Sequence, residues 1–237
     1  IKALDTLRAF AVFFVIIQHW GPPIKDLPTP FQEFFLRFFV PDGAFGVYLF
    51  FVLSGFLITG ILLSARASEP SGKEKLTVVK NFIVRRALRI FPIYYLTVFI
   101  LYFYFPDIKP NLPYILSYSL NVLCYRQNNF VSIFSHSWTL CIEEQFYLLW
   151  PWLILFVNSK YLKYVFITAI AIGIISTTIT MGKTDIIEPF LVTDCLDAFG
   201  IGSLYAYMRL NGVRLAKFEK VIRYSVPFCL AAYFYWK

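Results

Sequence analysis

The sequence predicts an all-α fold, a multi-pass helix bundle embedded in a membrane, and three observations carry that prediction. Hydrophobic residues make up 59% of the 237-residue chain and charged residues only 15%, against about 45–50% and about 25% in soluble globular proteins. Aromatic residues reach 20%, a share that suits repeated meetings with lipid and its interface. Apolar runs approaching the roughly 20 residues needed to cross a bilayer recur along the chain, and the mean hydropathy is +0.65.

The runs fall in order. Residues 3–20, 43–65, 91–106, 140–158, 164–181, 190–208 and 221–237 are the predicted spans. Residues 112–125 are apolar but short, and Pro106, Pro110 and Pro113 precede or interrupt them. Together these make about 7–8 membrane segments. The chain has no initiating Met and stops inside the apolar run "VPFCLAAYFYWK". The expectation is therefore one transmembrane domain, 1–237, shortened at its C-terminal end. No small-residue cleavage site follows the first run, so a cleavable signal peptide is not expected.

Charge sets the orientation. The net charge is +8, but the basic residues gather in short connections, which reads as the positive-inside pattern and not as a nucleic-acid surface. Residues 64–90 read as a loop with Lys73, Lys75, Lys80, Arg85, Arg86 and Arg89, expected on the cytoplasmic side. The N-terminus is then inside and residues 21–42 outside. Residues 209–223, with Arg209, Arg214, Lys217, Lys220 and Arg223, should also lie inside. Both loops lie inside only if residues 112–125 dip into the membrane and return, a re-entrant segment tolerated where protein buries it. Cys124, Cys141, Cys195 and Cys229 are scattered through apolar text. With two histidines, they suggest neither a disulfide framework nor a metal site.

Polar groups inside the runs are the candidate chemistry. In "LDTLRAFAVFFVIIQHW", Asp5, Arg8 and His19 share one helix face, with a rise of about 16 Å from Arg8 to His19. Ionisable residues within a span usually face a bundle interior or an aqueous cavity. Histidine is the side chain best suited to take and return a proton near neutral pH. In "NFIVRRALRIFPIYY", helical spacing puts Arg85, Arg86 and Arg89 on one side, either as an anchor for anionic membrane lipid or as forks for a phosphorylated ligand. In "SHSWTLCIEEQFYLLWPW", Glu143, Glu144 and Gln145 are carried into an apolar run, and Glu143 shares a face with Tyr147. His136 reads as a surface histidine. Gly46, Ser54, Gly55 and Gly60 read as small residues for helix packing. Asp194 and Asp197 carry no assigned role.

Four stretches, "LDTLRAFAVFFVIIQHW", "GVYLFFVLSGFLIT", "RRALRIFPIYY" and "HSWTLCIEEQFYLLWP", occur in the order and rough spacing of the membrane acyltransferase-3 family. The chain thus resembles the O-antigen and peptidoglycan O-acetyltransferases of bacteria over residues 4–151; beyond about residue 160 only hydropathy matches. The resemblance implies an integral protein of the bacterial cytoplasmic membrane. It would transfer an acyl group from acetyl-CoA or another acyl-CoA to a hydroxyl on a cell-envelope glycan or other acceptor, without a metal. It places the family's Arg–His pair on Arg8 and His19, the arginine cluster on Arg85, Arg86 and Arg89 for acyl-CoA, and the buried Glu on Glu143. On that reading His19 is the general base and Glu143 orients or balances it. Arg8 lines the cytoplasmic mouth, and Trp138, Tyr147 and Asp5 contact substrate. Tyr48 stands where many members have Asp, and Thr139 where Ser is common. A transporter or lipid flippase would line its path with the same residue types but needs no acyl-CoA site.

Overall fold

The computed structural model describes residues 2–20, 43–68, 71–130, 133–181, 189–213 and 220. The side chains of residues 2, 3, 17–20, 133 and 135 are outside that description. The described residues form α-helices and short 3-10 turns, with no strand among them. The helices are α1 (Lys2–Trp20), α2 (Gly43–Arg66), α3 (Gly72–Tyr104), α4 (Ile108–Leu116), α5 (Leu120–Gln127), α6 (Trp138–Phe156), α7 (Leu162–Met181) and α8 (Leu196–Leu210). In a bilayer core, a helix is the one open-ended element that satisfies its own backbone. Among the described residues, three helical stretches are long and apolar enough to cross a membrane: Gly43–Arg66, Gly72–Tyr104 and Ser159–Met181. The last predicted span, residues 221–237, falls outside the described residues, as does Cys229.

Two expectations change. Residues 64–90 are not a loop, because α3 begins at Gly72 and carries the whole basic run. The Ser71 N–H donates to the Glu74 carboxylate at 2.6 Å, a helix-start arrangement, and the straight-chain Lys, Glu and Leu that follow favour helix. At 33 residues, α3 is about 50 Å long. Residues 112–125 are not one segment but parts of α4 and α5, of nine and eight residues. Each is only about 12–14 Å long, under half of a core about 30 Å thick. Between them Tyr118 takes a φ of 52°. The Tyr94 and Tyr95 hydroxyls on α3 donate to the carbonyls of Ile115 and Leu116 at 2.9 and 3.2 Å and tie down the end of α4.

The core centres on α2, which lies against α1, α6 and most extensively α8. Glycine makes the α2–α8 approach: a Cβ on Gly55 would overlap the Phe199 carbonyl, and one on Gly202 would overlap the Val52 carbonyl. Small residues at helix crossings bring backbones together where lipid supplies no hydrophobic drive. Gly60, read from sequence as a packing residue, has no neighbour within 4 Å of its Cβ position. A buried hydrogen-bond chain crosses the same core. Trp150 Nε1 donates to Thr59 Oγ1 at 2.7 Å, Thr59 to Ser203 Oγ at 2.8 Å, and Ser203 to the Gly55 carbonyl at 3.2 Å. Each polar atom would be costly if left alone there.

Asp194, without a role from sequence, proves structural. Its carboxylate accepts from Ser176 and Thr180 of α7 at 2.5 and 3.1 Å and from the Leu191 N–H at 3.2 Å. It thereby holds the turn before α8 onto α7. At one end of the bundle, Arg66 Nη1 donates to the Ile154 carbonyl, and Lys75 lies 5.9 Å above the Phe156 ring. Leu162 and Asn211 border the same recess as Arg66 and Lys75. The end of α2, the start of α3, the end of α6, the start of α7 and the end of α8 therefore meet at one level.

Candidate active site

Three helices bring ionisable groups together at mid-bundle, and a fourth, α2, adds a serine. On α6, Glu143 and Tyr147 lie one turn apart on the face toward α2, as their spacing requires. Ser54 of α2 donates to Glu143 Oε1 at 2.8 Å. Its hydroxyl is also 3.1 Å from Tyr147 OH, and with the serine proton already used, the phenol is the donor in that contact. Ser54 was legible from sequence only as a small packing residue; its hydroxyl is what α6 uses.

Two guanidinium groups are near enough to act on these acids. Arg8 of α1 and Arg86 of α3 both act electrostatically on the Glu143 carboxylate, and Arg86 acts on Glu144 as well. Arg86 Cζ stands 4.9 Å from the centre of the Tyr147 ring and 5.7 Å from that of Phe82, within cation–π range. A carboxylate taken out of water needs such partners. Arg85 and Arg89 are exposed, while Arg86 is half-buried. The structure thus divides the arginine cluster: one member turns into the bundle and two stay on the outer surface of α3.

The remaining predicted residues spread out. Asp5 lies exposed one turn before Arg8. His19 is in the last turn of α1, and its side chain is outside the described residues. The described partners of Glu143 stand at the level of Arg8, and α1 rises about 16 Å further to His19. Among the described residues Glu143 meets Ser54 and interacts with Arg8 and Arg86; the expected pairing with His19 involves a side chain outside them. Trp138 is 5% exposed and meets the Phe190 ring edge-on at 5.5 Å, away from this cluster. His136 is exposed in the turn before α6.

Beside the cluster, between α3, α6 and the α4–α5 break, is a cavity of about 190 Å³ whose wall includes Arg86, Phe91, Tyr118, Glu144 and Tyr147. Gln145 pins the break in place, its Nε2 donating to the Tyr118 carbonyl and to Asn121 Oδ1, both at 2.9 Å. Tyr118 has no sequence signal of its own. Glu144 had one, as half of the "EE" pair, but no role followed from it. No group of three or more His, Cys, Asp or Glu able to hold a metal occurs among the described residues.

The family model described as "Acyltransferase domain" matches residues 1–236. The chain is 30% identical over 249 residues to the peptidoglycan O-acetyltransferase OatA of Listeria monocytogenes, covering 94% of this chain and 37% of that protein. It is 30% identical over 176 residues to the O-acetyltransferase OatA of Staphylococcus aureus, covering 68% of this chain and 26% of that one. The chain therefore spans little more than a third of these relatives at most. No solved structure matches.

Proposed function

This chain belongs to the acyltransferase family whose model it matches, and on that premise we propose that it is the membrane-embedded part of an O-acetyltransferase. It moves an acetyl group from cytoplasmic acetyl-CoA to a hydroxyl of a cell-envelope glycan such as peptidoglycan. The observation that carries this reading is the convergence of Arg8, Arg86, Glu143, Ser54 and Tyr147 at mid-bundle. Ionisable groups at such depth persist for function more often than for stability.

In the proposed reaction His19 takes the proton of the acceptor hydroxyl, whose oxygen attacks the thioester carbon. The C–S bond breaks as the ester C–O bond forms, and the proton passes from His19 to the departing thiolate. Arg8, held by Glu143, lines the approach from inside, and Asp5 lies beside its entrance. Arg85 and Arg89, exposed on α3, take the phosphates at the nucleotide end as charged forks. The direct test is to incubate purified full-length protein with labelled acetyl-CoA and a glycan acceptor; a folded protein that neither hydrolyses nor transfers would end this reading in favour of a transporter. The double change Arg85→Ala, Arg89→Ala should weaken acetyl-CoA binding by about tenfold or more, and the loss should shrink at high salt. Calorimetry giving an unchanged affinity would return these arginines to lipid anchoring.

The proposal includes a topology in the cytoplasmic membrane of a bacterium, with the N-terminus inside. The meeting of Arg66, Lys75, Leu162 and Asn211 at one recess supports it, since it puts the basic connections at 64–75 and after residue 209 at a common level. The segment from Phe105 to Ser137, with α4 and α5, then leaves and returns at the opposite level as a re-entrant unit. Single cysteines at residues 211–213, in a background without native cysteines, should resist an impermeant thiol reagent added outside whole cells. Rapid labelling there would instead require a full crossing near residues 112–125.

A further inference from the structure

The cavity beside the Glu143 cluster holds two groups that the reaction above does not use. Tyr118 is 8% exposed and Glu144 is 7% exposed. Yet the Tyr118 hydroxyl and Glu144 Oε1, both fully shielded, have no hydrogen-bond partner among the described residues. A buried polar atom left in that state costs about 1–3 kcal/mol, so two of them on residues that border one cavity call for a reason. The backbone adds another cost at the same place. The φ of 52° at Tyr118 is one that a bulky L-residue rarely adopts, and such outliers persist where surrounding structure enforces them. Here the enforcement is visible: Gln145 grips the Tyr118 carbonyl at 2.9 Å, and the Tyr118 ring stacks on Tyr94 at 4.3 Å and on Phe91 at 5.2 Å.

The chemistry of the two atoms defines what fits. A carboxylate oxygen accepts, and a phenol can donate. Arg86 already faces both Glu143 and Glu144, so the wall carries its own countercharge and favours an uncharged guest. We propose that this cavity is a subsite for a neutral substrate group that has one donor and one acceptor, a secondary amide or an alcohol. Its N–H or O–H donates to Glu144 Oε1, and its oxygen accepts from the Tyr118 hydroxyl. The inference rests on the acyl-transfer reading, in which two molecules offer such a group: the amides of the pantetheine arm, and the hydroxyl or acetamido groups of a glycan. The competing explanation is that Tyr118 and Glu144, which interact electrostatically, serve each other as a structural pair.

The sign of a stability change separates these explanations. Full-length protein in detergent is melted alone, with acetyl-CoA, and with an N-acetylglucosamine oligosaccharide, as wild type, Tyr118→Phe and Glu144→Gln. A subsite predicts that Tyr118→Phe alone melts at or above wild type, because it removes a hydroxyl with no partner. Ligand-induced stabilisation should then correspond to an affinity about three- to tenfold weaker for one of the two ligands. Glu144→Gln should weaken the same one, and that ligand identifies the source of the group. A lowered melting point in Tyr118→Phe with both affinities unchanged makes the pair structural and overturns the subsite. So do unchanged melting and unchanged affinities in both variants. Wild-type protein that neither binds nor turns over acetyl-CoA would instead overturn the acyl-transfer reading beneath it.

Discussion

Replacing His19 with alanine is expected to slow acetyl transfer by about 10²–10⁴-fold, the usual worth of a positioned general base, while acetyl-CoA affinity stays close to wild type. The separation follows from position. Arg85 and Arg89 are on α3, and His19 ends α1, so the groups proposed to hold the nucleotide and to move the proton are on different elements. A sugar hydroxyl is a weak nucleophile, and no other histidine is within α1 or α6. The measurement pairs the initial rate of label transfer with calorimetric acetyl-CoA binding on protein shown to be folded and inserted. Transfer at close to the wild-type rate would remove His19 from the chemistry.

The second large effect is on stability. Arg86→Met is expected to destabilise the protein by about 3 kcal/mol, because it leaves Glu143 with Arg8 as its one cationic neighbour and takes from Glu144 the cation that acts on it. The same argument requires a rescue. Adding Glu143→Gln should recover a large part of the loss, since the amide keeps the Ser54 contact without the charge. A double-mutant cycle on detergent-solubilised protein reads the coupling. Strict additivity of the two changes would mean that Arg86 acts through its stacking on Tyr147 alone, and the charge argument would fall.

Much of this architecture could be read from the chain. The runs that became α1, α2, α6 and α7 are apolar enough, even with the charges that α1 and α6 carry, for hydropathy alone to place them within a few residues. The start of α3 was hidden because Lys73 to Arg89 is charged, and a hydropathy reading stops where charge begins, whereas helix propensity and the Ser71–Glu74 start signal do not. The break at Tyr118 was hidden for the opposite reason: residues 112–125 are mostly apolar, their Ser117, Ser119 and Asn121 mark no boundary in a hydropathy reading, and contacts from Tyr94, Tyr95 and Gln145 fix where the helix stops. The site was half legible. Arg8 and Glu143 stand out as charges in apolar text. Which of three neighbouring arginines turns inward depends on where α6 puts Tyr147, and no local pattern encodes that. Gly55 and Gly60 look alike in sequence; only the arrival of Phe199 beside one of them makes it a crossing point.

That arrival has a consequence in time. Ser203 and the Gly55 carbonyl it bonds are 148 residues apart in the chain. At synthesis rates of about 5–20 residues per second, about 7–30 s pass between the emergence of α2 and that of α8. During that interval α2 carries a hydroxyl at Thr59 that meets Trp150 once α6 is made, and a bare backbone crevice at Gly55 that nothing closes before α8. Ser54 on the same helix waits for Glu143, 89 residues downstream. The nascent bundle is therefore a receptor for its own later helices: α6 supplies the acid first and α8 seals the core behind it, so the polar centre forms before the wall that encloses it.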